Sequence, residues 1–333
     1  YYLRSGVVLD IDQCAVQDSE LLNNPYLLAD ENQAKATKAF INLKYFLLLL
    51  LPWTMSSDYS YNVIPYKDFS DISVILSILL LIGSFLGLIY TVRKRHWLAF
   101  PIAFALIHLC LVNNMFFNIG ATMGERLVYH TSFGTCILLV FGLYYLFTQK
   151  LNRSSTLIAA AVLPLLAIYS FKTIARNPAW KNDYSLTLTD VKIYPNSALL
   201  NGNACNRLIE LSEFPVNKQN ERKFLDSATK YGHKALQLHP RYVTTYMNMG
   251  MIKFKIADYD SSEHFWSKVI EYFPTHPNVP QIRMTLASGF YSRGLEKVNQ
   301  KKPAEALGLL QKAYNYTPDN PKLIYDLGVV YNM

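Results

Sequence analysis

The 333-residue chain is 51% hydrophobic and 14% aromatic but 17% charged, where an ordinary soluble domain carries roughly 25% charged residues. That balance excludes a disordered chain, a collagen-like fibre and a small disulfide-stapled scaffold. The net charge of +8, from 32 Lys and Arg against 24 Asp and Glu, does not point to nucleic acid. Its densest cluster, Arg93-Lys94-Arg95-His96, sits between two apolar runs, where the positive-inside rule accounts for it. Cys14, Cys110, Cys136 and Cys205 are too far apart in sequence to signal a zinc site or a disulfide framework.

In chain order, residues 1–36 read as an extramembrane or juxtamembrane segment, 37–172 as a transmembrane domain with four to five hydrophobic segments, and 173–333 as helical repeats. A helix crossing roughly 30 Å of hydrocarbon needs about 20 apolar residues. Thr37 to Met55 is strongly apolar but contains Lys44 and ends in Pro52-Trp53, so crossing and entering-and-returning both remain open. Clear candidates follow over Asp71–Val92, Trp97–Phe117, Ser132–Phe147 and Thr156–Phe171. Arg93-Lys94-Arg95 joins the first two of these and Lys150 with Arg153 the last two, so both loops are expected on the cytoplasmic side. The loops Thr54–Ser70 and Asn113–Thr131, and everything after Phe171, then face the opposite side. Residues 1–36 are cytoplasmic if Thr37–Met55 crosses and extracytoplasmic if it returns.

From about Arg176 the pattern becomes amphipathic helices with regular punctuation. Pro240 and Pro274 are 34 residues apart, the period of the tetratricopeptide (TPR) repeat. Gly250, Tyr246 and Trp266 occupy matching places in that unit, and Gly294, Ala306, Ala313 and Pro318 in the next. Small residues are needed where the helices of a hairpin touch, and proline ends the second helix. Pro274 and Pro318 are 44 apart, so that unit carries an insertion, expected around Thr275–Gln281; another is expected near Phe214–Glu221. The fold expected is all-α: a polytopic membrane helix bundle followed by a TPR solenoid. The chain starts at Tyr1 and ends at Met333 inside a repeat helix, and it reads as part of a longer protein.

Two loops on the extracytoplasmic side concentrate acid, amide and aromatic groups: 52–65, with Asp58, Tyr59 and Asn62, and 113–134, with Glu125, Arg126, Tyr129 and His130. Glu125 and Arg126 are adjacent and so point in different directions on a helix. The planar fork of Arg126 suits a phosphate, to which it can donate two hydrogen bonds; the plainer role for it is an interfacial cation. Asp58 also reads as a cap or turn aspartate, and His130 alone as an interface residue. The sequence contains no GxSxG, GxGxxG, HExxH or Walker pattern, which leaves soluble-hydrolase and nucleotide-binding mechanisms without support.

Five features in one order, Asn24-Pro25, the Leu-rich run to Pro52, Ser57-Asp58-Tyr59-Ser60 with Ile64-Pro65, Gly124-Glu125-Arg126-Leu127-Val128-Tyr129 with Ser132-Phe133-Gly134, and Arg176-Asn177-Pro178-Ala179-Trp180 before the repeats, resemble the transmembrane-and-TPR-repeat (TMTC-like) protein O-mannosyltransferases and their bacterial relatives. The resemblance covers nearly the whole chain, and Gly-Glu-Arg-Leu-Val-Tyr is its most specific piece. It implies the C-terminal part of a GT-C type glycosyltransferase that moves mannose or another hexose from a polyprenyl-phosphate carrier to Ser or Thr of a polypeptide held by the repeats. A carboxylate would deprotonate the acceptor hydroxyl, and a cation or metal would offset charge on the departing phosphate. In this family that carboxylate lies in the first extracytoplasmic loop, hence upstream of Tyr1. Arg126 is then expected at the lipid phosphate, with Glu125 and Tyr129 shaping its pocket, and Asp58, Tyr59 and Asn62 at the acceptor or sugar. No nucleotide cofactor and no resident metal ligands are expected, although a divalent metal fits the chemistry. The expected setting is a bacterial inner membrane with periplasmic repeats, or an endoplasmic-reticulum membrane with lumenal ones. Two other readings share these features: a ligase moving a preassembled glycan from a lipid pyrophosphate, and a membrane-anchored TPR scaffold of an envelope assembly.

Overall fold

The computed structural model describes residues 21–333 apart from Phe117, Arg153 and Ser155; Cys14 and most of the expected 1–36 segment lie outside the described residues. The regular structure described is helical throughout. The described residues form two compact units, 21–201 and 202–333.

In the first unit, α1 (Glu31–Leu50) opens with a capping box: Asp30 accepts from the Gln33 N–H at 2.8 Å while Gln33 Oε1 accepts from the Asp30 N–H. It stops at Leu50 because Pro52 drives the preceding Leu51 into extended backbone, φ −152 and ψ 93. Helix α2 (Ile72–Arg93) carries no charge before Arg93, and Ile72, Leu76, Leu79, Ile82 and Leu86 all face outward. A helix apolar on all sides needs an apolar surround, which here is lipid. Helix α3 (Ala99–Val112) is followed by a short 3-10 turn (Glu125–Val128), α4 (Tyr129–Tyr144) with a π turn to Lys150, and α5 (Thr156–Arg176).

Among the described residues three helical stretches, Ile72–Arg93, Glu125–Lys150 and Thr156–Lys181, are long and apolar enough to cross a membrane, and the chain is a membrane protein. The expected span Trp97–Phe117 is cut to 14 residues, about 21 Å of helix. Asn114 ends it: in left-handed backbone at φ 60, it donates to the carbonyls of Ala121 and Thr122 and accepts from the Ile119 N–H.

The contacts of α1 bear on the open question over Thr37–Met55. Thr37 Oγ1 accepts from the Lys67 N–H ahead of α2, and Ser77 Oγ in the second turn of α2 donates to Ala39 O and accepts from the Leu43 N–H. Farther along, Asn42 and Tyr45 meet Asn113 and Gly124 at the end of α3 and the start of the 3-10 turn. The helix therefore dips beside α2, and the chain turns back at Pro52 towards the end of the bundle it came from. At that same end the Tyr66 hydroxyl donates to Pro25 O and Asn118 to Asn24.

Helix α6 (Asp183–Ile193) ends the first unit's helices, and α7 (Ala198–Glu213) runs into the second unit. That unit continues with α8 (Glu221–Leu238), α9 (Val243–Lys255), α10 (Tyr259–Tyr272), α11 (Val279–Asn299), α12 (Pro303–Tyr316) and α13 (Pro321–Tyr331). Its hairpins have the TPR form. Gly250 of α9 faces the Trp266 ring of α10, and a Cβ at Gly294 would meet Leu310 at 2.8 Å. Ala257 and Lys301 turn the two hairpins in left-handed backbone, φ 59 and 58. The insertion expected around Thr275–Gln281 is mostly elsewhere: α11 has 21 residues where α9 has 13, so the extra length continues a helix rather than a loop.

Candidate functional site

The loop between α1 and α2 buries Tyr59 and Ile64 in the core, and carboxylates from other elements hold it. Asp190 of α6, with no exposed surface, accepts from the N–H and hydroxyl of Ser57 at 2.7 and 2.6 Å. The same carboxylate pairs with Arg176 at the end of α5, at 2.5 Å. Glu125 accepts from the Ser56 N–H at 2.6 Å and from the Tyr59 hydroxyl at 2.7 Å. The Ala198 N–H closes the strap on Tyr61 O at 2.9 Å. The loop is thus pinned to three separate elements, and each pin is a charge-assisted or backbone hydrogen bond.

Asp58 Oδ2 accepts from the Ser60 N–H and hydroxyl and from the Ser197 hydroxyl, an Asx-type turn extended to a second segment. Burial pushes the Asp58 carboxyl above its ordinary range, although these donors oppose the shift. Burial and the neighbouring Glu125 carboxylate push the Tyr59 hydroxyl up as well, so Tyr59 stays a neutral donor. Tyr59 also packs against Tyr194, ring centroids 5.5 Å apart, and Asn62 is half-buried beside it in the loop.

Glu125 and Arg126 diverge as adjacent residues in a tight turn must. Glu125 faces the strapped loop; Arg126 is exposed, with no ion pair among the described residues. Tyr129, 76% exposed, stands at the head of α4 with its ring edge-on to His130. The three residues expected around one phosphate therefore divide between an inward acid and two outward groups. Arg176 and Asp190 were not singled out from the sequence as site residues; the signal was a cation closing an apolar run and an acid on the helix after it.

Two cavities adjoin α1. One, of about 300 Å³, lies between α1, α2, α3 and α4 and is mostly apolar, its walls including Phe46, Leu80, Leu106 and Leu138 beside Asn42, Ser84, Thr131 and Thr135. The other, of about 400 Å³, runs between α1 and the strapped loop and mixes Lys44 and Lys67 with Leu47, Trp53, Tyr59 and Tyr194. Among the described residues no group of three or more His, Cys, Asp or Glu is placed to hold a metal ion.

No family model matches the sequence. Human protein O-mannosyl-transferase TMTC4 is 30% identical over 201 residues, covering 57% of this chain and 26% of that protein. Mouse protein O-mannosyl-transferase TMTC1 is 28% identical over 73% of this chain and 25% of its own length. For the Drosophila melanogaster protein O-mannosyl-transferase Tmtc3 the identity is 24%, over 76% of this chain and 27% of that one. A solved thermophilic TPR protein of Thermus thermophilus is 16% identical, covers 52% of this chain and 95% of that chain, and superposes with a TM-score of 0.28. The chain spans about a quarter of the length of the curated relatives it matches. Over most of its own length, this chain is similar to the TMTC protein O-mannosyl-transferases.

Proposed function

We propose that this chain is the donor-gripping and acceptor-presenting part of a GT-C type membrane glycosyltransferase, a bacterial relative of the TMTC proteins. It takes mannose or another hexose from a polyprenyl phosphate and delivers it to Ser or Thr of a polypeptide on the extracytoplasmic side. The similarity to proteins named O-mannosyl-transferases carries the reading. The geometry supports it at the end of the bundle, where Arg126, with no ion pair among the described residues, stands next to a loop strapped down by Glu125.

A lipid donor keeps its isoprenoid tail in the bilayer, so its phosphate must be met at the rim, where Arg126 and Tyr129 are exposed. A guanidinium there offsets the charge that develops on the leaving phosphate. Glu125 acts through the loop it holds; Asp58 Oδ1, Tyr59 and Asn62 face the sugar or acceptor. The base that deprotonates the acceptor belongs to a segment ahead of Tyr1. The repeats in 173–333 hold the acceptor chain and raise its concentration at the site. The bilayer is a bacterial inner membrane with periplasmic repeats, or in a eukaryote the endoplasmic-reticulum membrane with lumenal ones.

Arg126→Ala in the full-length protein tests this. Sugar transfer at limiting lipid-linked donor is expected to fall by at least about tenfold, the scale of one lost charge-assisted contact. Unchanged turnover removes the phosphate role.

A further inference from the structure

We propose that the groove between α1 and the strapped loop, with Lys44 and Lys67 as its two cations, seats the phosphate head and first isoprenoid units of the lipid donor. This rests on the lipid-phosphate donor proposed above and adds two cations to Arg126 in the reception of its head.

Three observations on the groove agree. First, its charge is positive and incompletely neutralised. The ammonium groups of Lys44 and Lys67 lie 5.7 and 5.5 Å from the centroid of the same Phe40 ring, so both belong to the part of the groove that Phe40 lines. Lys67 has a long contact with Asp71, 3.6 Å, and Lys44 has no acidic partner among the described residues. Second, the wall running from Lys44 down α1 is apolar, formed by Leu47, Leu48 and Leu51. Because α1 dips beside α2, this wall leads from the end of the bundle towards membrane depth. A polar head with a hydrocarbon chain fits that gradient; a free phosphate uses only half of it. Third, the groove also carries aromatic side chains. Trp53, Tyr59 and Tyr194 line it, and Lys172 of α5 holds Trp53 in place, its ammonium 4.1 Å from the indole centroid and donating to the Trp53 carbonyl. Aromatic faces pack on the C–H faces of a hexose, and Tyr59 donates to Glu125. The volume of about 400 Å³ falls in the usual range of ligand sites, roughly 300–1,000 Å³.

The consequence is a division of labour. The two lysines, compact point charges, bind the phosphate in the ground state, while Arg126 stands outside the groove walls.

The test uses the full-length protein in nanodiscs of neutral phosphatidylcholine, titrated with polyprenyl monophosphate, with uncharged polyprenol and with phosphatidylglycerol. For the double variant Lys44→Ala/Lys67→Ala, affinity for the monophosphate should drop at least about tenfold, with polyprenol binding unchanged. Lys44→Arg/Lys67→Arg should retain monophosphate binding. In the wild-type protein, bound monophosphate should shield Lys44 and Lys67 from amine acylation, a readout that needs no variant to fold. The groove assignment is overturned if the double alanine variant binds monophosphate like wild type, if the lysines are not shielded, or if phosphatidylglycerol competes equally. Wild-type protein that does not bind the monophosphate at all overturns the donor reading itself, so the two failures are distinguishable.

Discussion

Arg176 and Asp190 form an ion pair of 2.5 Å in which Asp190 has no exposed side-chain surface and Arg176 only 13%. Through this pair the end of the last candidate span, the helix after it and the loop ahead of α2 are fixed by one buried carboxylate, since Ser57 also donates to Asp190.

Removing one partner should be far worse than removing both. Asp190→Ala leaves the Arg176 charge buried and frees Ser57, and it should cost about 3–5 kcal/mol. The double variant Arg176→Met/Asp190→Leu deletes both charges and should recover much of that loss. Thermal unfolding of the purified protein reads the energies, and hydrogen exchange at Ser56 and Ser57 reads the loop. Equal losses in the single and double variants would contradict the assignment.

Packing in the repeats makes two glycines unequal. Gly250 faces the indole of Trp266, which is itself fixed by donating to Met247 O at 3.0 Å; Gly308 of α12 has open space around it. Gly250→Ala should therefore destabilise its hairpin by about 1–3 kcal/mol through overpacking. Gly308→Ala should be neutral or stabilising by up to about 1 kcal/mol, from helix propensity. Hydrogen exchange over α9 and α10 distinguishes the two, and the same effect at both sites would rule out the hairpin contact as the cause.

The returning path of α1 makes a topological prediction. Cysteines introduced at Leu28, ahead of α1, and at Ser70, ahead of α2, should react with a membrane-impermeant maleimide from the same face. One at Arg95, in the loop after α2, should react from the other. Labelling of Leu28→Cys together with Arg95→Cys from one face would mean that α1 spans after all.

Much of this architecture was legible in the one-dimensional pattern. Long apolar runs such as Ile72–Arg93 can be satisfied only in lipid, and a 34-residue spacing with Gly250 opposite Trp266 is a local hairpin property. Thr37–Met55 was not legible, because a stretch of that length and composition fits a crossing and a return equally well. What bears on the choice is where Ser77 and Asn113 meet it. The extra length in the long repeat was visible as a spacing, but whether it becomes loop or helix depends on the packing of α11, not on its composition.

The candidate site divides in the same way. The Gly124–Tyr129 segment and the loop with Asp58 and Tyr59 stood out because acids and amides beside a membrane are costly unless used. That Glu125 would turn inward to Tyr59 while Arg126 turned out, that Asp190 would hold Ser57, and that Lys44 and Lys67 would both lie near Phe40 needed the tertiary structure. Periodicity and hydropathy are sums over neighbours along the chain, so sequence by itself determined which segments seek lipid and which pair as hairpins. The partners of a buried charge come from residues far apart along the chain, and their identity depends on how helices of similar composition pack, which only the folded arrangement decides.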